Sequence, residues 1–218
     1  MVRVFPLAMM LIAFVMVAPP VEAEPQSQNP VATAVQKPTA DIQGFRSAKF
    51  GMDEASVRKA IASDFGIKDD KIQREEHPTE KTTILAASVE NLLPDSGSSV
   101  VTYVLGYRSK KLVQVNVIWP KGDDILLGNT AIILRNYFLA MQFPPDSAVA
   151  DAQLPDGSIL AFRGTDQRGH MVAVLFQPTP KPKKDDKEQK PKNVASLHLS
   201  YVESPNKPDI FTLEPGKF

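Results

Sequence analysis

The chain holds three histidines, His77, His170 and His198, and no cysteine. Thiol nucleophiles, thiolate metal sites and disulfides are therefore excluded, and a zinc centre would need histidine and carboxylate ligands alone. His170 and His198 fall on successive strand-like runs, so the two can approach each other. No third ligand is spaced near them, and a strand-surface histidine is ordinarily just a polar side chain, so no metal and no cofactor is expected. The one candidate for hydrolytic or small-ligand chemistry is the trio Asp166, Arg168 and His170 in the turn "GTDQRGH", an acid, a cation and a base on one loop. The motifs that usually organise such chemistry are missing. There is no G-x-S-x-G elbow, and "DSGSS" at 95–99 reads as a turn. There is also no H-E-x-x-H, no phosphate-cradling G-x-x-x-x-G-K and no dinucleotide glycine fingerprint. The acidic stretch "DDKIQREEHPTE" at 69–80 gathers Asp69, Asp70, Glu75, Glu76 and Glu80. It lacks the alternating oxygen ligands and turn glycine of a calcium loop, and Lys71 and Arg74 within it describe a solvated connector.

Composition narrows the partner classes. Lysine plus arginine number 25 and aspartate plus glutamate 25, so the net charge is zero and no field steers the chain toward nucleic acid. Residues 1–23, "MVRVFPLAMMLIAFVMVAPPVEA", place Arg3 before an apolar run from Val4 to Ala18 and end on Val21-Glu22-Ala23. This is the pattern of a secretory signal peptide cleaved after Ala23. The run is short of the roughly 20 apolar residues a spanning helix needs, so no transmembrane anchor is expected after cleavage. The expected product is a soluble periplasmic or secreted protein of about 195 residues, held together by packing without disulfides.

Residues 24–44 begin "EPQSQNPVATAVQKPTADIQ" and read as a flexible spacer. Order is expected from Phe45. Asp53 is a good N-cap, with Met52 and Val57 at the staple positions around it. Val57, Ala60, Ile61 and Phe65 then recur at helical spacing, and Gly66 can close the helix in the left-handed region. Arg58, Lys59 and Ser63 fall on its solvated side. Strand-like runs follow at 82–90, 99–107 and 112–119, separated by the turn segments "LLPDSGS" and "RSK". Facing the apolar sides of the last two runs requires Tyr103 opposite Val115 and Leu105 opposite Val113, since a one-residue slip would mix polar and apolar side chains on both faces.

The layout then repeats. Asp123 or Asp124 can cap a second helix over about residues 125–141, with Leu127, Ala131, Leu134, Phe138 and Met141 as its inner stripe. Further strand-like runs occupy 158–163, 170–177 and 196–203. The predicted fold class is α+β: two tandem helix-plus-three-strand units over 45–120 and 121–204, with antiparallel strands and the helices packed on one face. The pattern leaves open one six-stranded sheet or two smaller ones. A low-complexity insert at 178–193, "PTPKPKKDDKEQKPKN", carries six lysines against three acids. Its ordinary reading is an inert linker; as an electrostatic handle, Lys181, Lys183 and Lys184 would contact an anionic surface or an acidic partner. Residues 205–218 read as an extended C-terminal tail.

On this register the sheet face away from the helices carries Thr102, Val104, Gln114 and Asn116, a half-polar surface suited to a partner or ligand. Three phrases, "KFGMDEASVRKAI", "GYRSKKLVQVNV" and "DGSILAFRGTD", resemble a set of uncharacterised exported proteins of Gram-negative bacteria. Gly51, Met52 and Val57 also match the "GM-x-x-x-x-V" helix start of envelope modules of the BamE (SmpA/OmlA) type and the β-lactamase-inhibitor-protein type. The chain departs from both in lacking a lipidation cysteine and paired cysteines. The resemblance implies a non-catalytic binding scaffold without identifying its partner; an envelope protein partner is expected for an exported module with no reactive constellation.

Overall fold

The computed structural model describes residues 37–180, 194–213 and 216. Its first helix, α1 (Glu54–Phe65), has the ends its sequence specifies. Asp53 is extended, and its carboxylate accepts from the Ser56 amide at 2.9 Å, a bond that holds the Asp53 carboxyl below its ordinary value. Gly66 stands at φ 67 and returns its N–H to Ala62 O. Val57, Ala60 and Ile61 are buried, and the helix lies against a two-stranded ribbon of β1 (Gly44–Phe45) and β2 (Ala48–Lys49).

Beyond a 3-10 turn at Asp69–Lys71 come four antiparallel strands. These are β3 (Gln73–Glu76), β4 (Thr83–Glu90), β5 (Ser98–Leu105) and β6 (Leu112–Gly122). Helix α2 (Asp124–Leu139) follows, with the Asp123 carboxylate accepting from the Ile125 and Leu126 amides. Four more strands complete the chain: β7 (Ala148–Gln153), β8 (Ile159–Thr165), β9 (Met171–Gln177) and β10 (Ala195–Val202). The eight strands β3–β10 form one antiparallel sheet in the order β3-β4-β5-β6-β10-β9-β8-β7. The final strands of the two halves pair with each other, and Asn116 stands opposite Ser200.

This overturns the expected fold class. Among the described residues the protein is mostly β, with one eight-stranded antiparallel sheet, a two-stranded sheet and only two helices; it is not two tandem helix-plus-three-strand units. Besides the short β1–β2 ribbon, two strands of the large sheet escaped the pattern, and both are its edges. Every residue of β3 is exposed, and β7 reads exposed or half-buried throughout. An edge strand covered on neither face keeps no apolar alternation for a sequence to display. The acidic connector at 69–80 thus contains a strand, and its charges suit an edge that must not recruit a further chain.

The spacer also ends earlier than expected. Thr39 bridges Gln142, Ala40 N–H donates to Gln142 O at 2.8 Å, and Ala40 and Ile42 are buried. Residues 1–36, including the expected signal peptide, lie outside the described residues. In the meander Tyr103 does stand opposite Val115, but Leu105 faces Leu112, not Val113. Val113 is the extra, unpaired residue of β6 at this point, and the resulting bulge lets Leu112 and Val115 both point inward.

The core lies between the helices and one face of the sheet. Phe138 of α2 stacks on Phe162 of β8 at 5.4 Å and meets Tyr201 of β10 at 6.3 Å. Phe138 and Phe162 are each 1% exposed, and burying a side chain of that size contributes about 1.5–3 kcal/mol. The C-terminal tail runs extended along one end of the sheet. Tyr107 N–H donates to Asp209 O, Phe211 N–H donates to Glu80 O, and the Phe211 ring meets Tyr107 edge-on at 5.5 Å.

Candidate functional site

Strand alternation puts Thr102, Val104, Gln114 and Asn116 on the sheet face that no described helix covers. The structure brings the three polar members together. Gln114 Nε2 donates to Asn116 Oδ1 at 2.8 Å, and Asn116 Nδ2 donates to Thr102 Oγ1 at 3.2 Å. Val104 lies directly opposite Gln114. A fourth member comes from the other half of the chain: Ser200 Oγ on β10 donates to Asn116 Oδ1 at 3.0 Å. The result is an uncharged polar ladder across β5, β6 and β10, all of it half-buried. Aliphatic side chains flank it. Val100 pairs with Ile118 beside the ladder, and Ala173 and Leu175 continue the surface onto β9.

His198 borders the ladder, opposite both Ile118 and Leu175. Burial lowers its pKa below the ordinary 6.5, so the imidazole is neutral at pH 7. Its Nε2 lies 3.4 Å from Ser196 Oγ, which donates to Gln177 Oε1 at 2.8 Å. Ser200 and His198 were missed as site residues because their strand is sequence-distant from β6. Their alternation with Leu197, Leu199 and Tyr201 was visible in "SLHLSY", but the β6–β10 seam that brings them to the ladder was not.

Asp166, Arg168 and His170 do assemble, but around the backbone. Asp166 is 4% exposed. Its Oδ1 accepts from the Arg168 and His170 amides at 2.8 and 2.9 Å, and its Oδ2 accepts from the Ile42 amide at 2.9 Å. His170 Nδ1 lies 2.6 Å from Ile42 O, and Arg168 pairs with Asp41. The trio thus fastens the segment before β1 to the β8–β9 turn, with the His170 ring edge-on to Phe50 at 5.2 Å. Lys181, Lys183 and Lys184 lie outside the described residues. No cluster of three or more His, Asp or Glu side chains placed to hold a metal occurs among the described residues.

The fold and the ladder define a class: an antiparallel sheet protein with helices over one face and a neutral, half-apolar surface on the other. No protein-family model, curated protein or solved structure matches this chain.

Proposed function

We propose that the protein is an exported, non-enzymatic binding module that engages an envelope protein partner through the open face of its sheet. The observation that carries this reading is the Gln114–Asn116–Thr102–Ser200 ladder, flanked by half-buried aliphatic side chains. A surface of uncharged hydrogen-bonding groups among apolar ones, depleted of charge at its centre, has the composition of an interface core. The signal-like residues 1–23 support export, and no described helix is long and apolar enough to cross a membrane. A hydrolytic centre at Asp166, Arg168 and His170 is the weaker reading, because the Asp166 carboxylate is already occupied by three amide donors. The lysine-rich insert remains a proposed secondary contact for an anionic surface.

The test is site-specific photo-crosslinking in a periplasmic extract. A photoreactive residue at Gln114 or Ser200 is expected to form a discrete adduct, and the same residue at Asn129 on the outer side of α2 is not. Equal adducts at all three positions, or none on the open face, would reject the reading.

A further inference from the structure

The helix face of the sheet carries a second surface, unrelated to the ladder. Between α2 and the β1–β2 ribbon lies a cleft of about 370 Å³, floored by Trp119, Leu199 and Tyr201. That volume falls in the range of small-molecule sites. One wall is the outer shoulder of α2, where Ile133 and Tyr137 are 56% and 58% exposed. Leu92 and Leu93 line the cleft as well. Large apolar side chains left this open on a helix otherwise packed into the core need a reason.

Two residues that line the cleft carry donors. Trp119 is 1% exposed, yet its indole N–H has no hydrogen-bond partner. A buried donor left unsatisfied is costly, and indole can only donate, so whatever completes it must bring an acceptor. The other donor is Arg46. It sits at φ 51 in the tight turn between β1 and β2, a conformation that non-glycine residues seldom adopt. The turn is held by Ser47, whose amide and hydroxyl both donate to the Asp64 carboxylate. The Arg46 guanidinium lies 4.8 Å above the Phe65 ring and donates to Asp64 O at 3.3 Å. Arg46, Tyr137, Phe138 and Tyr201 also line an adjoining cavity of about 360 Å³. The charged groups there are Asp41, Arg46 and Lys49, and Asp41 is paired with Arg168. Of the lining charges, the two not already paired among the described residues are both cations, Arg46 and Lys49, while the nearby Asp64 carboxylate is taken up by Ser47.

We propose that the cleft binds a free single-chain carboxylate amphiphile. The carboxylate oxygens meet the donors of Arg46 and Trp119, and the hydrocarbon chain lies against Leu93, Ile133 and Tyr137. A peptide is a poorer occupant, because each of its residues would bring a backbone N–H and C=O that apolar walls cannot satisfy. A methylene chain brings none.

The chain has a single tryptophan, Trp119 itself, so its emission reports on the cleft alone. Laurate titrated into the full-length protein, below the concentration at which it forms micelles, is expected to change that emission saturably. Dodecanol, with the same chain and no charge, should bind about tenfold more weakly, the difference a charge-assisted hydrogen bond makes. Arg46→Gln should reduce laurate binding to the level of dodecanol. Ile133→Glu, at a position open enough not to disturb folding, should abolish it. No saturable change with laurate, equal affinity for laurate and dodecanol, or undiminished binding in Ile133→Glu would each overturn the proposal. So would a response to a lauroyl lysophospholipid with none to laurate, which would assign the cleft to a lipid headgroup.

Discussion

Asp166→Ala tests whether the Asp166 cluster is a fastening. The wild-type carboxylate receives three backbone N–H groups, from Ile42, Arg168 and His170, at 2.8–2.9 Å. The Arg168 and His170 amides lie in a partly open turn, so after truncation water can replace the carboxylate at modest cost. The Ile42 amide is buried and faces no substitute. An unsatisfied buried donor costs about 1–3 kcal/mol, and each lost bond to a charged acceptor roughly 1 kcal/mol where water takes over. The expected loss is therefore about 3–5 kcal/mol. For a domain of 150–250 residues that lowers the melting temperature by about 6–20 °C. Thermal unfolding followed by circular dichroism measures the loss, and amide hydrogen exchange locates it. Exchange should accelerate at residues 40–43, because Ile42 is the residue released, while β5 and β6 should keep their protection. Asp166→Asn should fall between, retaining the shape and one neutral acceptor. A shift under about 2 °C, with exchange at 40–43 unchanged, would refute the fastening role and reopen the question of what a buried carboxylate does there.

Burial lowers the His198 pKa, so as pH falls through 6.5 the unfolded chain takes up its proton before the folded one. Stability is full above that value and declines as pH drops toward the folded pKa; His198→Gln should flatten denaturant midpoints between about pH 7.5 and pH 5. At Asp209 burial pushes the carboxyl up, but hydrogen bonds from the Ser109 hydroxyl and the Arg108 and Ser109 amides, with the Arg108 charge, outweigh it and hold it below 3.8. That contribution is present above the unfolded pKa and lost as pH falls through the lowered folded value, so one-dimensional NMR should show the Phe211 ring leaving Tyr107 in strong acid. Gly106→Ala should release the same tail at neutral pH, because a β-carbon there meets the Asp209 carboxylate and stands 2.7 Å from the Ser109 hydroxyl. Gly164→Ala would place a β-carbon 2.6 Å from the Phe143 ring, which packs on Phe162 at 5.3 Å. It should cost about 1–3 kcal/mol in urea unfolding, with partial rescue by Phe143→Leu.

What could be read along the chain was whatever is decided within a few residues. Asp53, Val57, Ile61 and Gly66 specify α1 because cap, stripe and stop all lie within one helix length. The pairing of Tyr103 with Val115 follows from alternation across a short turn. Legibility failed where the deciding contact is distant or where burial leaves no trace. Nothing in "QREE" or "AVADAQ" announces an edge strand, since neither buries a face. Asp166 and His170 looked reactive because their partner is Ile42, 124 and 128 residues away in sequence. Thr102, Gln114 and Asn116 share one face by alternation within β5 and β6. Ser200 was not joined to it, because the β6–β10 pairing bridges 84 positions at that point. The cleft left no signal in periodicity: Ile132 and Ile133 are as apolar as the inner stripe of α2 beside them, yet both are more than half exposed.

The seam between β6 and β10 explains why the ladder lies where it does. A slip of one residue along this seam would carry Ser200 and its neighbours from the open face to the core face beneath α2, and Leu199 and Tyr201 out toward solvent. Asn116 sits at the seam, accepting from Gln114 and Ser200 and donating to Thr102. That arrangement penalises the slipped pairing, in which Ser200 would be buried away from its Asn116 partner. A role in fixing register does not compete with a role in binding, because the bonds that fix register leave capacity unused. Gln114 Oε1 and the Thr102 hydroxyl proton take no part in them. That acceptor and that donor therefore remain available on β6 and β5, held in place by a network whose other members come from both halves of the chain. Neither half alone builds this surface: β6 without β10 lacks the Ser200 bond, and β10 without β6 has no ladder to complete. Any partner that recognises the ladder reads the joined sheet.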